Sequence, residues 1–225
     1  MIKAIVTDIE GTTSSIDFVH QTLFPYARKR MREFLLAHAQ RPEVLAQLRD
    51  VAQFEGRQLT VADAADVLDR WIVEDRKLTP LKALQGMIWK TGYDAGELKG
   101  HIYPDAPEYL RRWHRSGIRL HVYSSGSVEA QKLIFAHTDY GDLTPLFSGY
   151  FDTRVGGKKE PRSYENICRS IGVAAGEGLF LSDLGEELDA ARVAGFATCQ
   201  LLRDEQARPA AGHPQAHDFS EIDLG

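Results

Sequence analysis

Short apolar runs that end abruptly in polar side chains recur along this chain, and helical periodicity separates them. The first run, residues 2–7, is rich in β-branched residues, which is typical of a strand buried on both faces. Four later runs follow the same pattern: residues 118–123, 150–153, 178–182 and 197–202. Strands that alternate with helices predict an α/β fold with a Rossmann-like parallel sheet and right-handed crossovers.

A long interval without strand signals separates the first run from the second. Between Ser14 and Gly100, apolar residues recur at helical spacing, as at Ala64, Leu68, Trp71 and Ile72. Thr60 followed by Asp63 indicates a helix start. We therefore predict an all-helical domain at residues 17–100, inserted into an α/β core made of residues 1–16 and 101–225.

Composition excludes several classes of partner. Lys and Arg number 27 against 32 Asp and Glu, which gives a net charge of −5 at pH 7, and there is no basic block of the kind that binds nucleic acid. The first apolar run is too short for a signal peptide or a membrane span, and Cys168 and Cys199 form no zinc or redox motif. We expect a cytoplasmic monomer that binds neither nucleic acid nor a membrane.

Polar side chains follow the predicted strands at the edge where open parallel sheets bind ligands. They are Asp8 and Glu10 after the first strand, Ser124 and Ser125 after the second, Lys158 and Lys159 after the third, and Asp183, Glu186 and Glu187 after the fourth. Clustered carboxylates in a cleft need a cation, and hard oxygen ligands suit Mg²⁺. Hydroxyls and a lysine beside them suit a small dianion such as phosphate, which one carboxylate can attack.

The same segments resemble the four motifs of the haloacid-dehalogenase superfamily of aspartate-nucleophile phosphatases. Residues 8–13 (DIEGTT) resemble its first motif, residues 122–127 its second, Lys158 its third and residues 183–187 its acidic fourth. Within the superfamily the chain is similar to the enolase-phosphatases of methionine salvage. This narrower similarity lies in residues 8–13, 123–133, 157–160, 163–164 and 218–222.

The resemblance implies a haloacid-dehalogenase core with a helical cap whose closure excludes water. It implies that 2,3-diketo-5-methylthiopentyl 1-phosphate is enolised and then dephosphorylated to the acireductone 1,2-dihydroxy-3-keto-5-methylthiopentene. The resemblance implies that Asp8 is the nucleophile and that Glu10 acts as acid and base. It implies that the phosphate is bound by Lys158, Ser124 and Ser125, and that one Mg²⁺ is bound by Asp8, Glu10 and Asp183. Glu187 is implied to position metal or water.

Several alternatives stay open at this point. Lys159 is an alternative source of the amine, and Glu10 departs from the aspartate usual in the superfamily, although the enolase-phosphatases share it. A phosphatase of the same fold that acts on another small phosphomonoester is the main rival function. Two further candidate functions fit the residues less well. A haloalkanoate dehalogenase would not need the carboxylates that bind metal, and a module that only binds phosphate would not need the nucleophile. The histidines, including His121, are predicted to lie on the surface or on helix faces.

Overall fold

The chain forms two compact units, Met1–Ile16 with Lys99–Gly225 and Asp17–Leu98. The structure is a computed structural model that describes residues 1–74, 76–204 and 207–224. The prediction from sequence had placed the return to the core at residue 101. No helix in the described part of the chain is long and apolar enough to cross a membrane.

The second unit is helical in all its regular elements among the described residues, as predicted. Its helices are α1 (Ile16–Phe18), α2 (Phe24–His38), α3 (Pro42–Glu55), α4 (Val61–Val73) and α5 (Thr79–Asp94). Helix α1 begins at the last residue of the first unit, and a π-helical turn at Val19–Leu23 connects it to α2. The predicted start of α4 is confirmed, because Thr60 and Asp63 exchange side-chain-to-backbone hydrogen bonds at 3.1 Å in a capping box. Trp71 on this helix is fully buried.

The first unit is built on a six-stranded sheet whose neighbouring strands all pair in parallel, in the order β3-β2-β1-β4-β5-β6. The strands are β1 (Ala4–Thr7), β2 (Arg119–Tyr123), β3 (Phe147–Phe151), β4 (Gly178–Ser182), β5 (Ala197–Leu201) and β6 (Gln215–Ala216). Its helices are α6 (Ala106–Arg115), α7 (Val128–Ala136), α8 (Pro161–Ile171) and α9 (Gly185–Val193). The α/β prediction is therefore confirmed, with β1 near the centre and completely buried.

An aromatic cluster makes the sheet rigid below the strand ends. Tyr123 of β2, Tyr164 of α8 and Phe180 of β4 are all fully buried, and the rings of Tyr164 and Phe180 meet edge to face with centroids 5.0 Å apart. Edge-to-face aromatic pairs of this kind add about 1 kcal/mol beyond the burial of their area. Two of these rings carry hydroxyls that extend toward the loop after β3.

Two local predictions were wrong. The third strand begins at Phe147, earlier than predicted, and it pairs with β2 from Leu120 onward through a register shift between Leu120 and His121. His121 itself is 4% exposed on β2, not on a surface, and burial lowers the pKa of its imidazole to about 4. At the other side of the sheet, β6 is the edge strand, and Phe219 packs on Trp113 of α6.

Candidate active site

Asp8 stands directly after the central strand, with 3% of its surface exposed. Its backbone N–H donates to the carbonyl of Leu181 at 2.9 Å, so the sheet ladder extends to the carboxylate-bearing residue. The hydroxyl of Thr13 donates to the carbonyl of Asp8 at 3.1 Å, and the backbone N–H of Thr13 donates to that of Ile9 at 3.0 Å. These bonds fix the turn, in which Glu10 is half-buried.

Lys158 lies between two carboxylates. Its Nζ is 2.7 Å from Oδ2 of Asp8 and 2.6 Å from Oε2 of Glu187, and the hydroxyl of Ser182 donates to the same Glu187 oxygen at 2.9 Å. Burial lowers the pKa of the Lys158 amine, but the charges of Asp8 and Glu187 outweigh that effect and leave the pKa raised. The amine is therefore protonated and held at the oxygen of Asp8.

Three hydroxyl groups hold the loop that carries Lys158. Tyr164 donates to the carbonyl of Lys158 at 2.6 Å, Ser163 donates to the preceding carbonyl at 2.8 Å, and Tyr123 donates to that of Gly156 at 2.8 Å. Tyr123 and Tyr164 belong to the aromatic cluster, so the lysine is supported by the core of the first unit. The sequence motif contained Ser163 and Tyr164, but only the structure gives them this role.

Asp183 follows β4 and lies over the turn after β1. Gly11 has a φ of 69°, and a Cβ there would stand 2.5 Å from Oδ2 of Asp183, so the carboxylate fills the space that the missing side chain leaves. Burial, together with the negative charges of Asp8 and Glu187, raises the pKa of the Asp183 carboxyl to about 7. Lys158 alone does not offset the charge of these three carboxylates.

The loop after β2 offers donors to an anion. Ser124 is 3% exposed, and its Oγ accepts the backbone N–H of Gly126 at 3.3 Å, which leaves the hydroxyl proton to donate elsewhere. Ser127 caps the nine-residue helix α7 by accepting the N–H of Ala130 at 3.2 Å. A helix start with its backbone N–H groups favours bound phosphate. Ser125, in contrast, is exposed.

The second lysine lies away from this centre. Lys159 forms an ion pair with Glu186, and both side chains are exposed to solvent. Glu187, which was predicted to position metal or water, contacts Lys158 and Ser182. The contact between Lys158 and Glu187 was not predicted from the sequence, which indicated Glu187 only as a residue that positions metal or water.

The carboxylates have the chemistry that Mg²⁺ requires. Asp8, Glu10 and Asp183 are hard oxygen donors that follow neighbouring strands. Burial, and then the negative charges of Asp8 and Glu187, raise the pKa of Asp183, and a divalent cation would offset that charge. In the described part of the chain, no group of three or more His, Cys, Asp or Glu side chains is already gathered in a metal-binding arrangement.

Asp183 also lines a cavity of about 650 Å³. Its described lining combines apolar side chains such as Leu184 and Ala210 with the polar Tyr103 and Arg203. The cavity therefore offers a mixed apolar and polar surface beside the carboxylate.

The chain is similar to known proteins over most or all of its length. The profile of the haloacid dehalogenase-like hydrolase family matches residues 2–195. The enolase-phosphatase E1 of Serratia proteamaculans is 57% identical over 226 residues, which cover 100% of this chain and 98% of that protein. The enolase-phosphatase E1 of Marinobacter nauticus is 58% identical, with coverage of 99% and 97%. The crystal structure of the UTR4 protein of Saccharomyces cerevisiae superposes with a TM-score of 0.83 at 33% identity, covering 99% of this chain and 100% of that one.

Proposed function

The chain belongs to the enolase-phosphatases of the haloacid dehalogenase-like hydrolase family, and we propose that it converts 2,3-diketo-5-methylthiopentyl 1-phosphate to acireductone and phosphate. The observation that carries this proposal is the 57% identity to an enolase-phosphatase across the whole chain, helical insertion included. The buried contact between Asp8 and Lys158 supports the phosphatase half of the reaction.

The enolase half begins at the carbon that bears the phosphate ester. The product has hydroxyls on carbons 1 and 2, so a proton leaves carbon 1 and the oxygen on carbon 2 takes one from the solvent. Glu10, half-buried in the turn after Asp8, is our candidate for the base that takes the first proton. Its extra methylene, compared with aspartate, extends the carboxylate by about one C–C bond.

The phosphatase half begins when a carboxylate oxygen of Asp8 attacks phosphorus. The bond between phosphorus and the ester oxygen breaks, the leaving oxygen takes a proton from Glu10, and an aspartyl phosphate remains. Lys158 and the hydroxyl of Ser124 neutralise the phosphate oxygens. Water then gives a proton to Glu10 and attacks phosphorus, which releases phosphate and restores Asp8. Glu10 returns that proton to the solvent and is again a base for the next substrate molecule.

Mg²⁺ would be held by Asp8, Glu10 and Asp183, one ion per chain. When bound, it would neutralise phosphate oxygens and polarise a carbonyl of the diketone. Glu187 would act with it by keeping the amine of Lys158 on the Asp8 side of the site. We further propose that the enzyme works in the cytoplasm as a monomer on this small substrate, without nucleic acid or membrane partners, in keeping with its net charge of −5.

The test is to mix the purified protein with the diketo phosphate and Mg²⁺, and to follow enediol absorbance and inorganic phosphate together. We expect both signals to rise in equal amounts, to stop when a chelator is added and to resume with excess Mg²⁺. Phosphate release from simple monoesters, with none from the diketone, would instead favour a phosphatase of the same fold with another small phosphomonoester as substrate.

A further inference from the structure

Two buried glutamines stand behind the loops that carry the proposed site. Gln131 on α7 and Gln200 on β5 are each 1% exposed. The side-chain amide of each donates two hydrogen bonds of 3.0 Å or less to loop carbonyls. A buried amide is stabilising only where its donors are satisfied, so each glutamine fixes the backbone groups that it contacts.

Gln200 holds the turn that bears Asp183. Its Nε2 donates to the carbonyl of Asp183 at 2.8 Å and to that of Arg208 at 3.0 Å, and its Oε1 accepts the N–H of Ala210 at 2.7 Å. The contact with the segment around Ala210 is close, because a Cβ at Gly185 would lie 2.5 Å from the Cβ of Ala210. One side chain thus joins the end of β4 to a segment far along the chain.

The Asp183 carboxylate lies close against the turn after β1. Its Oδ2 occupies the space that a Cβ at Gly11 would take, with a separation of 2.5 Å. A ligand set for Mg²⁺ must keep near-ideal octahedral geometry. A rotation of the Asp183 peptide, which Gln200 prevents, would therefore move a proposed metal ligand.

Gln131 holds the loop that bears Ser124. Its Nε2 donates to the carbonyl of Gly126 at 2.8 Å and to that of Phe151, the last residue of β3, at 2.8 Å. It also lies 3.5 Å from the carbonyl of Ser124. The backbone N–H of Ser124 donates to the same Phe151 carbonyl at 3.2 Å. The loop is therefore tied to the neighbouring strand through this amide.

We propose that Gln200 and Gln131 are positioning residues with separate tasks: Gln200 sets the metal-binding carboxylate of Asp183, and Gln131 sets the phosphate-binding loop at Ser124. This inference rests on the proposed function. Neither glutamine touches substrate or metal. Each acts through one loop, so the loss of one affects one ligand and leaves the other unchanged.

The experiment is calorimetric titration of the full chain with MgCl₂, and with inorganic phosphate at saturating Mg²⁺. For Gln200→Met we expect Mg²⁺ to bind about 10-fold to 100-fold more weakly, as is usual when a metal ligand loses its supporting contact, with phosphate affinity unchanged. For Gln131→Met we expect phosphate to bind about tenfold more weakly, the loss of roughly one hydrogen bond's net free energy, with Mg²⁺ affinity unchanged. Gln85→Met, which alters a buried glutamine of the helical unit, should change neither.

The possible results distinguish a failure of the proposed function from a failure of the positioning roles. A wild-type protein that binds neither ligand contradicts the proposed function itself. A wild-type protein that binds both, with variants that match it or that weaken both ligands equally, overturns the positioning roles alone. If a methionine variant fails to fold by circular dichroism, Gln200→Glu or Gln131→Glu keeps the side-chain size, replaces two N–H donors with at most one O–H donor, and must give the same selective loss.

Discussion

At the scale of single residues, the central feature is one amine shared by two buried carboxylates. Lys158 contacts Asp8 and Glu187 at 2.7 and 2.6 Å, and its own side chain is 10% exposed. Removing one partner of a buried ion pair leaves an uncompensated charge. The amine of Lys158 is therefore held against the carboxylate of Asp8, where it can also meet a phosphoryl oxygen as the nucleophile attacks.

Glu10 can be tested apart from the nucleophile. We expect Glu10→Gln to lose the enolisation step, because an amide does not take a proton from carbon, and to release phosphate slowly for want of an acid at the leaving oxygen. The measurement is the rate of enol phosphate formation from the diketone, followed by absorbance. Formation at the wild-type rate would show that another group is the base. Glu43→Gln, at an exposed position on α3, is the matched control.

His121 gives a prediction about stability and pH. Burial, with a smaller effect of Arg119, holds its pKa at about 4 in the folded protein, below the usual value of 6.5. Above about pH 6.5 the histidine is neutral in both the folded and the unfolded chain, so it does not affect the free energy of unfolding. As the pH falls from there toward 4, the unfolded chain binds a proton at this residue and the folded chain does not, so the free energy of unfolding decreases. The penalty at the acid end amounts to about 3 kcal/mol.

His121→Met should remove that contribution, so its free energy of unfolding should fall less between neutral and acid pH than that of the wild type. Urea unfolding at several pH values measures the difference. The exposed His114→Met should follow the wild-type pH profile. Parallel profiles for wild type and His121→Met would contradict the prediction.

At the scale of elements, the turn between β1 and α1 depends on a missing Cβ. Gly11 and Gly172 have nearly equal φ values of 69° and 64°, but only at Gly11 would a Cβ collide with a site residue, since nothing lies within 4 Å at Gly172. Alanine at either position should cost about 1 kcal/mol of stability through backbone strain. Gly11→Ala should in addition lower phosphate release by about 100-fold, because it displaces Asp183.

Comparing Gly11→Ala with Gly172→Ala separates the effect of the clash with Asp183 from the effect of backbone strain. Thermal unfolding gives the stability of each, and initial rates of phosphate release give the activity. Equal activity in both variants would mean that the contact between Gly11 and Asp183 has no catalytic consequence.

The elements were more predictable than their contacts. Residues 2–7 predicted β1 because a β-branched run buried on both faces has a local signature, and Thr60 with Asp63 predicted the start of α4 for the same reason. The start of β3 was not predicted, because residues 147–149 are in a strand through their pairing with Leu120 and His121 of β2, which lie far away in the sequence. Local patterns specify elements, whereas packing between strands decides the exceptions.

At the scale of the whole molecule, the site is assembled from segments far apart in the chain. The rule that ligands bind beyond the carboxyl ends of parallel strands gave a set that contains Asp8, Ser124, Lys158 and Asp183. The same set contained Lys159 and Glu186, and only the family resemblance favoured Lys158 over Lys159. The rule was not enough to pair Lys158 with Glu187, or to find the loop contacts of Tyr164, since those contacts depend on side-chain lengths and helix positions that no short motif encodes.

Mg²⁺ binding should stabilise the folded chain as a whole. A ligand that binds only the folded state adds about 2.7 kcal/mol at a concentration of 100 times its dissociation constant. We expect the midpoint of thermal unfolding to rise with MgCl₂, to return on chelation, and to respond much less in Asp183→Asn. A full response in that variant would exclude Asp183 as a ligand, and Asp189→Asn, an exposed change on α9, should respond like the wild type.

The most direct test of the account is to find where the phosphoryl group goes during turnover. The protein is mixed with substrate and Mg²⁺, quenched in acid within one turnover, digested and mapped by mass spectrometry. We expect one added phosphoryl group on the peptide that contains Asp8. The Asp8→Asn variant should keep its fold, carry no added phosphoryl group and release no phosphate. A phosphoryl group on another residue, or phosphate release by Asp8→Asn at a rate near that of the wild type, would contradict this expectation.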